Sequence, residues 1–379
     1  MAKRRDNLLR IFQHEKPQWV PIVGHCDPYN QPSRDGMDPA LASALGEVCW
    51  GGEATVIFSR YLGLDIMDWY GMPVSIKRRT VTVESQTDGD STTNIWRTPK
   101  GDLREVIRVC RDATGAVSSN WTEHMVKGPD DLPALAWIFE DEAIGPDPDG
   151  IVRTRQRRHL IGDDGLLLGT MDGTPLGMMF RVYSGVATLA YLWADAPGAL
   201  HDLLAVMESN YLQRLMAGAQ SDADVIVSVD DTSTTAISPT MFEACNLALT
   251  DERARRAHDA GKLYFHHSCG HIRDLLPLYR RTQMDAVHAF TIPPLGNATI
   301  AEGRKGLGDR LTIIAGLEQL AGPMQDRAGV RESIHRMIRE AEPFDHFILN
   351  VAGYPHRTME QTRFVVNCAR EIGAFSAGS

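Results

Sequence analysis

The sequence lacks paired cysteines and long apolar runs, and these absences exclude several classes of protein. Its six cysteines, in 379 residues, are scattered and form no Cys-x-x-Cys pair, so a disulfide framework is not expected. No apolar run reaches the roughly 18 residues that a membrane helix needs. The first residues, Met-Ala-Lys-Arg-Arg-Asp, also lack the apolar core of a secretion signal. We therefore expect a reduced, cytoplasmic protein that does not bind membranes.

The sequence also has fewer basic residues than acidic ones. Lys and Arg number 39 against 49 Asp and Glu, which gives a net charge of −10. A general nucleic-acid binder normally carries a basic surface, so no nucleic-acid partner is expected. The composition, 43% hydrophobic and 23% charged, is typical of a globular enzyme and excludes wholesale disorder.

Short aliphatic runs alternate with longer amphipathic stretches along the whole chain, which predicts parallel βα units. The predicted strands are Trp19–Val23, Leu64–Trp69, Leu166–Met171, Val225–Val229, Leu263–His266, Ala286–Phe290, Leu311–Ala315 and His346–Val351. The predicted helices are Gly198–Gln220, Pro239–Ala260, His271–Arg281, Ile300–Leu307, Val330–Ala341 and Thr358–Gly373. Eight such strands favour an α/β fold made of a single (β/α)8 barrel over residues 1–379. Two doubly wound domains are the alternative, although no Gly-rich phosphate loop follows a predicted strand.

Residues 74–112 interrupt this alternation. They show strand-like patterns with turns at Asp88-Gly89-Asp90 and Pro99-Lys100-Gly101. We interpret them as an antiparallel insertion after the second barrel strand, and such insertions often cover an active site. A purely structural flap is the alternative.

Reactive side chains follow most of the predicted strands. In a barrel, the active site is built from residues just past the carboxyl ends of the strands. These candidates are His25, Cys26, Asp27, Asp172, Asp230, Asp231, His267, Cys269, His271, Glu318, Tyr354 and His356, with His288 inside a strand. So many titratable groups at one end of a barrel indicate a catalytic site.

The sharpest local signal is His267-Ser268-Cys269-Gly270. Imidazole nitrogen and thiolate sulfur are both good zinc ligands, and catalytic zinc usually has three protein ligands. The third ligand is left open among Glu318, Asp230, Asp231 and His266, with Glu318 preferred. The alternative is that Cys269 packs as a small hydrophobic residue and His267 bonds the backbone.

Asp230 and Asp231 form the second signal. Adjacent strand residues point to opposite faces, so only one of them is expected to enter the barrel mouth. That carboxylate could orient a metal ligand, act as an acid or base, or hold a positive substrate group.

At these positions the sequence resembles the uroporphyrinogen decarboxylase superfamily, whose members are single (β/α)8 barrels. The resemblance covers nearly the whole chain. It rests on Arg5–Arg10, Pro17–Pro21, Asp230-Asp231, Ile237-Ser238-Pro239, His266–Gly270, Asp285, Gly316-Leu317-Glu318 and Phe347-Ile348-Leu349. Thr98–Gly101 and Gly128–Leu132 are similar to the branch associated with corrinoid-dependent methyl transfer.

Two departures from the family pattern decide between its branches. True uroporphyrinogen decarboxylases have an arginine-rich motif after the first strand, but here no arginine occurs until Arg34, which argues against porphyrinogen decarboxylation. The zinc methyltransferases have a His-x-Cys pair, matched by His267 and Cys269, and a further cysteine near the last strand. Here Asn350-Val351-Ala352-Gly353 stands in that place, and Cys368 lies in the following helix. Three alternatives therefore remain open for this site: a zinc site completed by a carboxylate, a site for a different metal, or no metal site.

The resemblance implies a methyltransferase that moves a methyl group from a small methoxylated or methylated substrate to a corrinoid protein, as in O-demethylation. Zinc is the expected metal, and the partner protein would supply the cobalamin. A homodimer is an open alternative for the assembly. The expected metal ligands are His267, Cys269 and Glu318; the catalytic residues are Asp230, Asp231, His25 and Asp172; and the substrate-binding residues are Asp27, Arg181, His288, Tyr354 and His356.

Two other functions remain open at this stage. One is a decarboxylase or lyase that acts on a small carboxylic acid, with Asp230 or Asp231 as general acid and Arg181 or Arg34 holding the carboxylate. The other is a barrel that binds a ligand without catalysis.

Overall fold

A computed structural model describes residues 3–24, 37–46, 52–111, 117–316, 326–351 and 359–373. The strands within them are β1 (Ile22–Gly24), β2 (Ile66–Gly71), β3 (Val74–Arg78), β4 (Thr82–Asp88), β5 (Ser91–Thr98), β6 (Gly101–Arg111), β7 (Val117–Glu123), β8 (Glu142–Pro146), β9 (Gly165–Asp172), β10 (Val225–Val229), β11 (Leu263–His267), β12 (Ala286–Phe290), β13 (Thr312–Gly316) and β14 (Phe347–Val351).

The helices of the described residues lie mostly between the strands of the barrel. They are α1 (Arg4–Phe12), α2 (Pro39–Leu45), α3 (Glu53–Leu62), α4 (Leu132–Glu140), α5 (Pro148–Ile161), α6 (Pro175–Met178), α7 (Gly185–Asp195), α8 (Pro197–Gly218), α9 (Pro239–Cys245), α10 (Leu247–Asp259), α11 (Leu276–Tyr279), α12 (Ile300–Leu307), α13 (Arg327–Glu340) and α14 (Met359–Gly373). Within the described residues, no helix combines the length and apolar character needed to cross a membrane.

Eight parallel strands form the barrel. Their order is β1-β14-β13-β12-β11-β10-β9-β2. A parallel bridge between Val23 and Asp65 brings β1 back to β2, and the amide of Asp65 donates to the Ile22 carbonyl at 2.8 Å. The predicted α/β class and single (β/α)8 barrel are confirmed.

The barrel interior is filled by alternate residues of its strands, because successive side chains of a strand point to opposite faces. Leu166, Val227, Phe265 and Ile314 belong to this inner cluster, as do residues of α1. Phe12 of α1 packs against Phe265 with ring centroids 5.1 Å apart. Helix α1 therefore closes the amino end of the barrel.

The antiparallel insertion is longer than predicted. Strands β4 to β7 form a four-stranded sheet, and β3 pairs with β8, so the strands run well past residue 112. The prediction missed β7 and β8. It used the turns at Asp88-Gly89-Asp90 and Pro99-Lys100-Gly101 to delimit the insertion, and both strands come after these turns. The imidazole Nδ1 of His124 lies 2.8 Å from the Val182 carbonyl, and the amide of Val126 donates to the Tyr183 carbonyl at 2.8 Å. These contacts reach the segment after β9, on the carboxyl side of the barrel; closure over the mouth stays a prediction.

Candidate functional site

Four side chains lie at one level near the carboxyl end of the barrel. In the strand register, Asp172 of β9 is paired with Val229 of β10, and Val229 with His267 of β11. His267 is in turn paired with His288 of β12. Since neighbouring strands lie about 4.8 Å apart, these four residues form one row, which we call the rim row.

An aromatic cluster lies on the β11 and β12 side of the rim row. The Nδ1 atoms of His267 and His288 are 2.9 Å apart, and the two rings stack with centroids 5.1 Å apart. Trp69 of β2 meets both rings edge-on, at 4.8 Å from His288 and 6.0 Å from His267. His288 is only 2% exposed. The two imidazoles are thus held in fixed positions inside the barrel.

Asp231 and Cys269 meet just beyond β10 and β11. The thiol Sγ of Cys269 donates to Oδ1 of Asp231, with the two atoms 2.6 Å apart. The backbone of Asp231 is left-handed, with φ of 60°, and its amide donates to the His267 carbonyl at 3.1 Å. A non-glycine residue in this conformation is uncommon and such strain often marks functional sites. Asp231 is half-buried, so it is the aspartate of the pair that stays accessible.

Asp230 lies between the barrel and the surrounding helices. It is completely buried, and its carboxylate accepts hydrogen bonds from the Thr174 amide and the Ser228 hydroxyl. Its Oδ2 lies 3.2 Å from Nδ1 of His266. Burial alone would raise the pKa of Asp230, but the charges of His266 and Arg253 and these hydrogen bonds outweigh it and hold the pKa well below its usual range. Such a carboxylate stays ionised and is unsuited to donate a proton near neutral pH.

His266 belongs to the same outer layer as Asp230. Its ring contacts Phe242 of α9 and Tyr279 of α11, with centroids 6.2 and 5.4 Å away. Its Nε2 lies 3.3 Å from the Thr232 hydroxyl. His266 therefore faces away from the ring of its neighbour His267 and does not share a site with it.

Arginine side chains hold several groups around the rim row. Arg214 of α8 donates to Asp172 at 2.6 Å and to the buried Glu142 at 2.5 Å, so the charge of Asp172 is neutralised. Arg253 of α10 is fully buried and pairs with Glu208 at 2.5 Å. Asp172 and Glu142, which lie in strands, are thus bound to helix α8 through Arg214.

Five predicted site residues lie outside the described residues, namely His25, Asp27, Glu318, Tyr354 and His356. The structure brings Asp231 into contact with Cys269 and His267 into contact with His288, whereas Asp172 lies two strands away from His267. The sequence reasoning missed Trp69. Its position at the end of the predicted strand Leu64–Trp69, on the same face as Met67, could have indicated it.

The donor chemistry of the predicted metal site is suited to zinc. Cys269 offers sulfur, His267 offers imidazole nitrogen, and Asp231 offers a carboxylate beside the sulfur. Within the described ranges, however, no group of three or more His, Cys, Asp or Glu side chains has an arrangement that could hold a metal ion. The preferred third ligand, Glu318, is not among the described residues, so the zinc site stays a prediction.

Comparison with known proteins gives a matching family and similar solved structures. A model of the uroporphyrinogen decarboxylase (URO-D) family matches residues 154–372. The comparison with curated proteins found no match. A methyltransferase from Methanosarcina mazei has a similar structure over 98% of this chain and 99% of its own, with 14% identity and a TM-score of 0.63. A xyloglucan-specific β-1,4-glucanase from a ruminal metagenomic library matches 60% of this chain and 79% of its own, with 10% identity and a TM-score of 0.39, which is too low to carry an argument.

Proposed function

The chain belongs to the uroporphyrinogen decarboxylase family, and we propose that it is a methyltransferase of that family. It would take a methyl group from a small methoxylated or methylated substrate and pass it to a corrinoid protein. The observation that carries the proposal is the contact between the Cys269 thiol and the Asp231 carboxylate, two residues beyond the paired Val229 and His267 of the rim row. The likeness of the whole barrel to the Methanosarcina mazei methyltransferase supports the fold that this requires.

Removal of a methyl group from an ether leaves an alkoxide or phenolate, and this oxygen needs a proton or a cation as the bond breaks. Asp231 and Cys269 are the described groups that could meet this need, because Asp231 is half-buried and the two are in contact. The stacked His267 and His288 rings would hold the substrate beside them. Without a metal, the proton would pass from the Cys269 thiol, which Asp231 contacts, to the leaving oxygen, and the methyl group would pass to the acceptor. With zinc bound to Cys269, the ion would instead balance the charge on that oxygen.

Two cofactors complete the proposal. Zinc held by Cys269, His267 and a third ligand would supply a Lewis acid for the leaving oxygen, and reduced cobalamin on the partner protein would be the methyl acceptor. Residues of this chain would bind the metal, orient the substrate and exclude water.

A decarboxylase or lyase that acts on a small carboxylic acid is the second candidate. The family supports it, and so does Arg181, a cation at the rim of the barrel whose Nη1 atom donates to the Val229 carbonyl. Because Asp230 is buried with a depressed pKa, Asp231 would have to be the acid in this reaction.

One preparation of the purified protein tests both candidates. Its zinc content would be measured by mass spectrometry, and it would be mixed with cob(I)alamin and a series of methoxylated compounds. We expect methylcobalamin to form, seen by absorbance, and Asp231→Asn to slow its formation. Carbon dioxide release from a carboxylic acid without methyl transfer would favour the second candidate. Full activity of metal-free protein after exhaustive chelation would refute the role of zinc.

A further inference from the structure

Arg181 occupies an unusual place beside the rim row. It lies in a single turn of π-helix, Met179–Tyr183, and such turns are rare and often lie at functional sites. Its Nη1 atom donates to the carbonyl oxygen of Val229 at 2.7 Å, and the side chain is half-buried. Since Val229 is the register partner of both Asp172 and His267, the guanidinium is fixed at the level of the candidate site.

The charge of Arg181 is not compensated within the described part of the chain. Its neighbours Arg214 and Arg253 each form ion pairs with carboxylates. Among the described residues, no carboxylate lies within ion-pair distance of Arg181, and its single hydrogen bond goes to a neutral carbonyl. A partly buried cation is stabilised strongly by an anion, and a guanidinium matches a carboxylate with two parallel hydrogen bonds.

Val229, whose carbonyl accepts the hydrogen bond from Arg181, also lines a cavity of mixed polar and apolar character. Its volume is about 340 Å³, within the range of small-molecule pockets, and Val229, Met72, Met171 and Ile76 are among its lining residues. Asp172 also lines it, but Arg214 neutralises that carboxylate. The apolar part of this lining suits the body of a small molecule, and Arg181, hydrogen-bonded to Val229, suits one negative charge.

We propose that the substrate of this barrel is a small carboxylic acid whose carboxylate is bound by Arg181. For the methyl transfer proposed above, on which this inference rests, the methyl donor would be a methoxylated or methylated carboxylic acid rather than a neutral ether or a quaternary amine. The carboxylate lies at Arg181, beside Val229, which lines the cavity and is also the register partner of His267. Substrate recognition thus depends on a cation outside the proposed metal ligands.

Binding of matched acids and amides tests this assignment by calorimetry. The probes are 4-methoxybenzoate with 4-methoxybenzamide, and methoxyacetate with methoxyacetamide, because each pair differs in charge and hardly in size. The wild type is expected to bind at least one acid about tenfold or more tightly than its amide, since charge-assisted pairs are roughly twice as strong as neutral ones. Arg181→Gln, which keeps an amide donor for the Val229 carbonyl, should bring this ratio close to one.

Two further variants separate the anchor from general effects. Arg181→Lys keeps the charge without the planar fork, so it should retain part of the preference. Arg336→Gln removes an exposed arginine of α13 and changes the net charge equally, so it should retain all of it. Folding of each variant would be checked by circular dichroism before titration.

Three outcomes would overturn the inference. They are equal binding of acids and amides by the wild type, an unchanged ratio in Arg181→Gln, and binding of none of the four probes. Acid-selective binding that depends on Arg181, without methylcobalamin formation, would instead refute the proposed methyl transfer and leave the carboxylate anchor standing.

Discussion

Replacement of Asp230 by asparagine is expected to destabilise the protein and to act on catalysis only indirectly. The carboxylate is fully buried between the barrel and α10. It accepts hydrogen bonds from the Thr174 amide and the Ser228 hydroxyl, and it lies 3.2 Å from the His266 ring. The variant removes one negative charge from this layer and leaves His266 without its nearest carboxylate.

The size of the effect follows from this burial. Breaking a buried charge pair by removing one partner costs about 3–5 kcal/mol of unfolding free energy. A chain of 379 residues has an unfolding entropy of roughly 0.8 kcal/mol per kelvin near its melting temperature, so the expected decrease in Tm is about 4–6 °C. Asp231→Asn should change Tm by only about 1 °C, because Asp231 is half-buried and asparagine tolerates the left-handed backbone well.

The two variants should also differ in activity and in pH dependence. Asp231→Asn is expected to lower kcat by about 10²–10⁴, the usual contribution of a general acid. Because the pKa of Asp230 is depressed in the folded state, its stabilisation is present above pH of about 4 and is lost as the pH falls below that value. Asp230→Asn should lack this acid-induced loss.

Differential scanning calorimetry at pH 7 and pH 3.5, with kinetics on the same samples, measures both effects. If Asp230→Asn kept the wild-type Tm and lost all activity, Asp230 rather than Asp231 would face the substrate, and the assignment of the pair would be reversed. Equal and mild losses in both variants would mean that neither carboxylate takes part in the reaction.

Three other changes test the metal, a buried carboxyl group and the barrel wall. His267→Ala and Cys269→Ser should each lose bound zinc in a metal assay and remain folded, whereas Cys245→Ser should keep it; zinc retained by the first two would refute the site. Burial raises the pKa of Asp65 to about 6, so as the pH rises from about 3 to about 7 the wild type should lose about 3 kcal/mol of stability relative to Asp65→Asn in urea titrations; parallel curves would contradict this. Gly165→Ala should destabilise the protein by about 3 kcal/mol or more and lower Tm. The reason is that a Cβ there would clash with the Ile66 carbonyl oxygen of β2. An unchanged Tm would show that β2 and β9 can move apart at little cost in free energy.

Sequence patterns predicted the strands of the barrel better than its helices. Val225–Val229 and Ala286–Phe290 match β10 and β12 residue for residue, because buried parallel strands are continuous apolar runs with sharp ends. The predicted helix Pro239–Ala260 is divided at Asn246 into α9 and α10. His271–Arg281 contains only short helical turns, since Pro277, in the first turn of α11, prevents a single helix from continuing through it.

The candidate site was predicted in its residue types more than in its geometry. Alternation along a strand indicated that only one of Asp230 and Asp231 would enter the barrel mouth. It could not say which, because β10 ends at Val229 and Asp231 adopts a left-handed turn. The contact between Cys269 and Asp231 and the stacking of His267 on His288 join different strands. Such contacts depend on the register of the sheet, which no local pattern contains.

The closed amino end of the barrel has a kinetic consequence. Because α1 fills that end, with Phe12 against Phe265, a small molecule must enter and leave the row of His267 and His288 through the carboxyl end. A second, macromolecular substrate that reacts there has to approach through the same carboxyl end of the barrel. If the proposed partner protein accepts the methyl group there, the small substrate must bind first and its product must leave last, which gives a compulsory order in initial-rate experiments. A dead-end complex, in which the large partner traps the spent small molecule, should appear as substrate inhibition when the partner is in excess.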